Sequence, residues 1–330
     1  MNLRNVQAMR QLSMLVAVFS VLLASCGQTP PPGAGASGED SRPAPSGDAS
    51  AEEVAEESRG DVDCPADIDT PPRAATAPVD DIVGVRPGLT YEEATNVVLC
   101  TNNLLVATGP VTRGFNIDTF GATLRQGFSA RFAEPRVVKS SKQIMQEMQD
   151  DFAARSGNAV REDMKPGQSR WYVSTMGLPG QERVIAAARE EWFAEGRNPT
   201  MQSVADALIK KYGPPSRHQV APHVISLVWT RDPQGRMAPM NSPLANSCVA
   251  MSSPNGGSNF SPECGLVVAA MIWPMRENAA LAQRFEAGVA DQANGYQLIV
   301  NTEKELGVQE AAKRQRQVED ATQNADRPQL

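Results

Sequence analysis

The stretch "NPTMQSVADALIKKYGPPSRHQVAPHVISLVWTR", residues 198–231, joins a helix signal to a strand signal and sets the pattern for the folded part of the chain. Asn198 can cap a helix, Pro199 suits the first helical position, and Gly213 followed by two prolines ends it. The run at residues 223–231 is rich in β-branched and aromatic residues, which favours a strand. We therefore predict a helix followed by a strand. The apolar face of this helix would consist of Met201, Val204, Ala205, Leu208, Ile209 and Tyr212.

Two further helices begin with a capping box, in which a Ser or Thr and an acid or amide three residues later cap each other's backbone amides. Thr90 and Glu93 form one such pair at the start of the run "YEEATNVVLCTNNLL". Ser140 and Gln143 form the other, and that helix is expected to end near Gly157. Together with the helix that follows Pro199, these segments make three main helices.

Strand-like runs lie between and after the helices, at residues 170–176, 182–193, 265–273, 285–292 and 296–302. Helices and strands mix without a regular alternation, which favours an α+β fold with one or more antiparallel sheets over a doubly wound parallel fold. The predicted body spans residues 79–302, more than 200 residues. That length allows one domain or two small subdomains that divide near residue 195.

The first 25 residues have the features of a secretory signal peptide. Arg4 and Arg10 precede an apolar run at residues 12–23, and no acid occurs before Glu39. The run is shorter than the ~20 residues that a stable membrane-spanning helix needs. We therefore expect residues 1–25 to be removed.

The residues that end this segment, Leu23, Ala24, Ser25 and Cys26, resemble the lipobox of bacterial lipoproteins. The resemblance implies that Cys26 is acylated and becomes the new N-terminus, and two or more acyl chains make membrane attachment stable. Gly27 follows in place of the aspartate that favours inner-membrane retention, so the resemblance implies an outer-membrane protein facing the periplasm. The alternative is an incidental thiol in an ordinary signal peptide.

Residues 26–78 are predicted to be a disordered tether behind the lipidated Cys26. They consist largely of Pro, Gly, Ala, Ser and acids, and residues 27–78 contain 11 acids and 3 bases. Because the whole chain has a net charge of −7, this segment accounts for its acidity and the body is close to neutral. Such a body lacks the basic excess that a nucleic-acid partner requires. Residues 303–330 are predicted to be a polar C-terminal tail, either a solvated helix or disordered.

Four cysteines remain after Cys26, an even number that suggests two disulfides in an exported chain. Four cysteines allow three connectivities, and proximity favours Cys64 with Cys100 and Cys248 with Cys264. Asn255-Gly256-Gly257 is a turn signal that would bring two short strands together between the second pair. Free thiols or a metal site are the alternatives.

The sequence contains no recognisable catalytic motif, and we predict no catalytic residue, metal site or cofactor. The two histidines, His218 and His223, would point to opposite sides of an extended segment, which is poor geometry for binding one metal. A catalytic carboxylate pair could be drawn from acids such as Glu190, Glu191 and Asp232, but the favoured interpretation is that they lie on a solvated strand face.

Arginine and phenylalanine are interleaved between Thr112 and Arg136. Such a segment could bind an anionic, partly apolar partner, because arginine binds carboxylates and phenylalanine covers apolar surface. The favoured interpretation is that the phenylalanines are core residues and the arginines pair with acids at the rim. The candidate partner-binding residues are Arg113, Phe115, Phe120, Arg125, Phe128, Arg131, Phe132 and Arg136.

Two Pro-entered, capped helices, at residues 86–99 and 198–212, and the Trp-bearing strand after the second resemble the small outer-membrane assembly lipoproteins of the SmpA/OmlA class. Fold analogy of this kind does not carry function. The expected function is that of a noncatalytic cell-envelope lipoprotein. Its lipid anchor would hold it to the membrane, and it would bind another envelope component, with a protein as the favoured partner. The alternative is an enzyme or small-ligand receptor that acts on an envelope polymer.

Overall fold

A computed structural model describes residues 47–109, 115–146, 148, 164–250, 253–254, 260–324 and 326. Its helices are α1 (Ala51–Arg59), α2 (Tyr91–Leu99), α3 (Met201–Tyr212), α4 (Pro243–Ser247) and α5 (Gln292–Asn324), and residues 141–146 are also helical. Its strands are β1 (Leu105–Thr108), β2 (Gly127–Phe132), β3 (Ser169–Met176), β4 (Arg183–Trp192), β5 (Arg217–Ala221), β6 (Val224–Thr230), β7 (Leu266–Pro274) and β8 (Ala282–Asp291). Among these helices none is long and apolar enough to cross a membrane.

All eight strands belong to one sheet in the order β1-β2-β3-β4-β8-β7-β6-β5, and every neighbouring pair is antiparallel. The pairing of β4 with β8 lies at the centre and joins residues that are about 100 positions apart, such as Ala186 and Ala290. The chain therefore forms two consecutive four-strand units whose last strands meet.

The two units repeat one arrangement. In the first, α2 precedes β1–β4, and the cap residue Thr90 bridges to Arg183 at the start of β4. In the second, α3 precedes β5–β8, and the cap residue Thr200 bridges to Leu281 just before β8. Residue 195 lies at the joint between the units, but the pairing of β4 with β8 makes them one continuous sheet.

The predicted set of three main helices is wrong. α2 begins as expected but ends at Leu99, and Leu105 of the predicted helix begins β1. α3 forms as expected, and Thr200 rather than Asn198 caps it. The helix predicted after Ser140 is seen at residues 141–146, and most of its remaining length lies outside the described residues. The principal helix is instead α5, which includes residues 296–302, predicted as a strand, and extends through most of the predicted tail.

The spacing of buried positions explains why α5 is a helix. Its four buried residues, spaced three to seven positions apart, lie on one helical face: Gln292, Gly295, Thr302 and Leu306. Only Leu306 has a large apolar side chain. The close approach of Gly295 to Phe260 and to Ile185 of β4 depends on its lack of a side chain, since a Cβ there would lie 2.5 Å from the Phe260 ring and 3.3 Å from Ile185 Cβ. Counting the apolar residues along the sequence therefore could not identify this buried face of the helix.

The folded unit begins before the predicted boundary at residue 79. Ser50 and Glu53 form a capping box for α1, and Ala55 packs in a small cluster with Val106 and Ala133. Ala49 pairs with Arg136 by two backbone hydrogen bonds of 2.8–2.9 Å. A few small apolar residues and two antiparallel hydrogen bonds are therefore enough to fix the end of the segment predicted to be a tether.

Both expected disulfides, Cys64–Cys100 and Cys248–Cys264, are confirmed. The predicted turn at residues 255–257 lies outside the described residues, and the flanking residues 248–250 and 260–265 are not strands.

The sheet has one core on each face. α2 and α3 cover the first face, where Phe128, Trp171, Leu227 and Trp229 are buried. On the second face the Cys248–Cys264 disulfide packs with Val228, Val267 and Ala269, and α5 crosses β3, β4, β7 and β8. We call these the α3 face and the α5 face.

Candidate functional site

A groove beside α3 encloses about 380 Å³ on the α3 face. That volume is within the range of small-ligand pockets, and the lining is mainly apolar as such sites usually are. Val204 and Leu208 of α3 form one wall, the turn at Ile82 and Val83 forms the other, and β4 and β8 form the floor. We call this site the α3 groove.

The floor of the α3 groove lies where the two four-strand units meet. Phe193, next to the end of β4, stacks on Phe285 of β8 with ring centroids 5.8 Å apart and planes 26° apart. The β4–β8 register places Arg189 opposite Ala287, and both residues line the groove. The groove therefore exists only after strands from both halves of the chain have paired.

Arg189 supplies a cation in this otherwise apolar floor. Its guanidinium pairs with Glu191 and lies 5.5 Å from the centroid of the Trp171 ring. Its Nε is buried without a hydrogen-bond acceptor, and the side chain is 15% exposed. Burial of an unused donor is unfavourable, so an occupant with an acceptor oxygen would be favoured over a purely apolar one.

The second wall contains a strained residue. Ile82 and Val85 exchange two backbone hydrogen bonds of 2.9–3.0 Å, and the turn between them places Val83 at φ 47° and Gly84 at φ 87°. A β-branched residue rarely adopts a positive φ, because its side chain collides with the backbone. Val83 is also 47% exposed, so neither its conformation nor its burial stabilises the fold.

Asp81 holds this turn against α3. Its carboxylate accepts hydrogen bonds from Arg73 and Lys211, both at 2.8 Å, and from the Gly84 amide at 2.9 Å. Its backbone carbonyl accepts from Lys211 Nζ at 3.0 Å and from the Tyr212 hydroxyl at 2.8 Å. One residue thus connects the wall turn to the C-terminal end of α3.

This network determines the charge state of its members. Burial raises the pKa of Asp81, but the hydrogen bonds from Lys211, Arg73 and Gly84 outweigh it and lower the pKa to about 2. Burial, together with the Asp81 charge, raises the pKa of Tyr212 well above its usual range. Asp81 is therefore ionised and Tyr212 is a neutral donor at neutral pH.

Glu190 belongs to an ion cluster on the α5 face. Its Oε2 accepts hydrogen bonds from Nε and an Nη of Arg170 at 2.8 and 2.5 Å, and its Oε1 accepts from Trp192 Nε1 at 2.9 Å. Glu286 lies opposite Glu190 in the register, and the Arg284 guanidinium is within 3.8 Å of both carboxylates. Two arginines therefore balance two buried carboxylates.

The structure does not bring together the three acids considered from the sequence. Glu190 is buried rather than on a solvated face. Glu191 is on the α3 face with Arg189, and Asp232 accepts hydrogen bonds from Arg236 in the turn after β6.

The candidate partner-binding residues do not form one surface. Phe128 is fully buried, and Phe115 packs edge-on against Phe260. Phe120 lies close to Gly307 of α5 and is 39% exposed. Arg113 lies outside the described residues.

Two of the candidate arginines pair with acids that are distant in the sequence. Arg125 forms ion pairs with Glu92 and Glu182 and lies 4.5 Å from the Tyr91 ring centroid. Arg136 pairs with Glu57 of α1 at 2.6 Å. Both therefore brace elements of the fold.

Arg131 and Phe132 do line a common concavity. It encloses about 520 Å³ at the ends of β2 and β3, and Lys165 and Arg170 also line it. We call it the β2–β3 cavity. Its cations are partly balanced by Glu134, which lies 3.7 Å from Arg131, and by Glu190 behind Arg170.

Among the described residues, no cluster of three His, Cys, Asp or Glu side chains could hold a metal ion. His218 is exposed on β5 and His223 is exposed at the turn before β6.

Sequence reasoning missed the α3 groove, although one signal was available. The predicted apolar face of α3 is broad, and only Met201, Ala205 and Tyr212 of that face are buried. Val204 and Leu208 remain partly exposed and form the groove wall. An apolar face wider than the contact of a helix with one sheet indicates a second packing partner.

No protein-family model, curated protein or solved structure matches this chain. The function must therefore be inferred from the chain's own geometry.

Proposed function

We propose that this chain is a noncatalytic lipoprotein of the cell envelope that is anchored through Cys26 and binds a protein partner, which inserts an apolar side chain into the α3 groove. The observation that carries the proposal is the wall turn, where strained Val83 exposes an apolar side chain at the edge of an apolar groove. Backbone strain persists only where the surrounding structure enforces it, and it is concentrated at functional sites.

The lining of the groove fits a protein side chain as an anchor. Binding energy at protein interfaces is concentrated where a few side chains fill well-packed pockets. Phe193, Phe285 and Leu208 offer such a pocket, and the buried donor of Arg189 could be satisfied by a backbone carbonyl of the partner. Lys211 at the rim is already paired with Asp81, which favours a largely uncharged partner segment.

The envelope location is supported by sequence and by disulfide chemistry. The lipobox at residues 23–26 supports lipidation, and Gly27 supports the outer membrane. Disulfides persist in oxidising compartments, and both cysteine pairs lie at bonding distance.

Site-specific photo-crosslinking tests the proposal in the native envelope. A benzoylphenylalanine at Ser203, which lines the α3 groove, should give a defined protein adduct. The same group at Gln202, which is hydrogen-bonded to Asp206 and does not line the groove, is the matched control. Equal adducts at both positions, or none at Ser203, would contradict the proposal.

A charge substitution provides the second test. Leu208→Asp places a carboxylate in the groove wall and should abolish the Ser203 adduct, whereas Val220→Asp on exposed β5 should leave it unchanged. Retention of the adduct in Leu208→Asp would mean that the partner binds elsewhere.

A further inference from the structure

The chain between β2 and β3 contains a concentration of exposed apolar side chains. Residues 137–148 include Val137, Val138, Ile144, Met145 and Met148, which are between 47% and 68% exposed. Exposed apolar side chains are normal singly, but five of them within residues 137–148 indicate a segment that contacts another phase or molecule. We call these five residues the apolar patch.

The same stretch carries a small net positive charge. Residues 137–148 contain Lys139 and Lys142 and one acid, Glu147. The combination of lysine with exposed aliphatic side chains and methionine is typical of segments that lie in the interface of an anionic membrane.

The β2–β3 cavity adjoins this stretch, because Val137 of the apolar patch also lines the cavity. Arg131, Lys165 and Arg170 provide cations there, and Glu134, which lies 3.7 Å from Arg131, is 77% exposed. The guanidinium of arginine matches phosphate and carboxylate oxygens. A site for an anionic group is thus placed directly beside the apolar residues.

The folded unit receives the chain from the membrane anchor at this same place. Asp48 accepts a hydrogen bond from the Val138 amide at 2.7 Å, and Ala49 pairs with Arg136. Cys26 precedes Asp48 by 22 residues, so the chain from the proposed anchor joins the described body at this point. The apolar patch is therefore next to the end of the body that is tied to the bilayer.

We infer that the apolar patch lies in the interface of the anchoring membrane and that Arg131 and Lys165 of the β2–β3 cavity bind the phosphate of an anionic phospholipid. This inference rests on the proposed Cys26 anchor and goes beyond the proposed function, because it assigns a second surface that orients the body and leaves the α3 groove open to a protein partner. The lipid anchor supplies attachment, and the apolar patch selects one orientation.

Lipid photo-labelling of the acylated, full-length protein tests the inference. The protein is reconstituted into vesicles of phosphatidylethanolamine and phosphatidylglycerol whose acyl chains carry a diazirine close to the headgroup, and adducts are mapped by mass spectrometry. Adducts should be concentrated in the peptides that contain the apolar patch. The peptide that contains Val220, which is 72% exposed on β5, is the internal control. Equal labelling of the two regions would overturn the proposal.

Variants separate the two parts of the surface. Val138→Glu with Met145→Glu should reduce labelling of the apolar patch several-fold, whereas Val220→Glu should not. Arg131→Gln with Lys165→Gln should reduce labelling about fivefold per charge in phosphatidylglycerol vesicles and have no effect in phosphatidylcholine vesicles. Equal loss in both lipids would contradict recognition of the anionic headgroup.

Two controls keep these outcomes interpretable. Each variant should retain both disulfides and the thermal unfolding midpoint of the unsubstituted protein. A variant that loses a disulfide or unfolds at a lower temperature is replaced by the corresponding alanine variant. Inorganic phosphate added to phosphatidylglycerol vesicles should leave labelling unchanged. If phosphate alone abolishes labelling, the cavity is a site for free anions and the proposal fails.

Discussion

Asp81 and Lys211 are 130 residues apart in the chain, and their side chains are joined by a 2.8 Å ion pair at one end of the α3 groove. This contact fixes the turn that carries Val83 to the helix that carries Leu208. It makes the stability of the groove dependent on one carboxylate.

Asp81→Asn should destabilise the protein by about 2 kcal/mol at pH 7, because the folded-state pKa of about 2 lies below the ordinary value of 3.8. A lowered carboxyl pKa contributes stability that is complete above the unfolded-state value and is lost as pH falls through the folded-state value. The difference between wild type and Asp81→Asn should therefore shrink between about pH 4 and pH 2. Urea unfolding of both proteins across this pH range measures the difference in stability. A difference that does not change with pH would contradict the lowered pKa of Asp81.

Val83→Asn should stabilise the protein and weaken partner binding. Asparagine tolerates the positive φ that valine adopts at 47°, so about 1 kcal/mol of strain should be relieved. The exposed apolar side chain at the groove edge is lost at the same time. Thermal unfolding and the Ser203 crosslink provide the two readouts. Val220→Asn, on an exposed strand, should change neither, and a destabilised Val83→Asn would show that the valine side chain contributes net packing.

Two glycines in α5 should respond in opposite directions to alanine. At Gly295 a Cβ would lie 2.5 Å from the Phe260 ring, so Gly295→Ala should cost about 1–3 kcal/mol. At Gly307 the nearest atoms are 3.4 Å away, so Gly307→Ala should be neutral or stabilising by up to about 1 kcal/mol through helix propensity. Chemical denaturation of the two variants compares them directly, and equal effects would mean that α5 does not pack on Phe260 as described.

Glu190→Gln should destabilise the protein by about 3–5 kcal/mol, because it leaves Arg170 and Arg284 buried beside too little negative charge. Glu92→Gln is the matched control, since Glu92 is 62% exposed and its pair with Arg125 should contribute less than about 1 kcal/mol. Denaturation midpoints test both. A small effect of Glu190→Gln would show that the cluster is hydrated rather than dry.

Much of the local structure could be predicted from sequence because its signals are local. The Thr90–Glu93 capping box forms as expected. The runs at residues 170–176, 182–193 and 265–273 became β3, β4 and β7, since β-branched and aromatic residues favour a pleated, buried surface. The favoured disulfide pairing could be predicted because each pair closes a short loop.

The misassigned segments fail for a different reason. Residues 296–302 contain apolar, β-branched residues and suggest a strand, but they form the second and third turns of α5. The eight strands are already paired with one another in one sheet. The segment therefore packs on the sheet as part of a helix, with Gly295, Thr302 and Leu306 at the buried positions. Tertiary packing thus overrides propensity, as it commonly does for short apolar runs.

The sequence by itself determined the capping box of α2, the helical run of α3, most of the central strands and the two disulfide pairings, because each depends on residues that are close in the chain. Only the tertiary structure decided that β4 would pair with β8, that Asp81 would reach Lys211, and that Arg189, Phe193 and Phe285 would meet in one groove. The contacts of β4 with β8 and of Asp81 with Lys211 join positions that are about 90 to 130 residues apart. Long-range pairing is selected by the combined burial of both surfaces, and no local pattern records it.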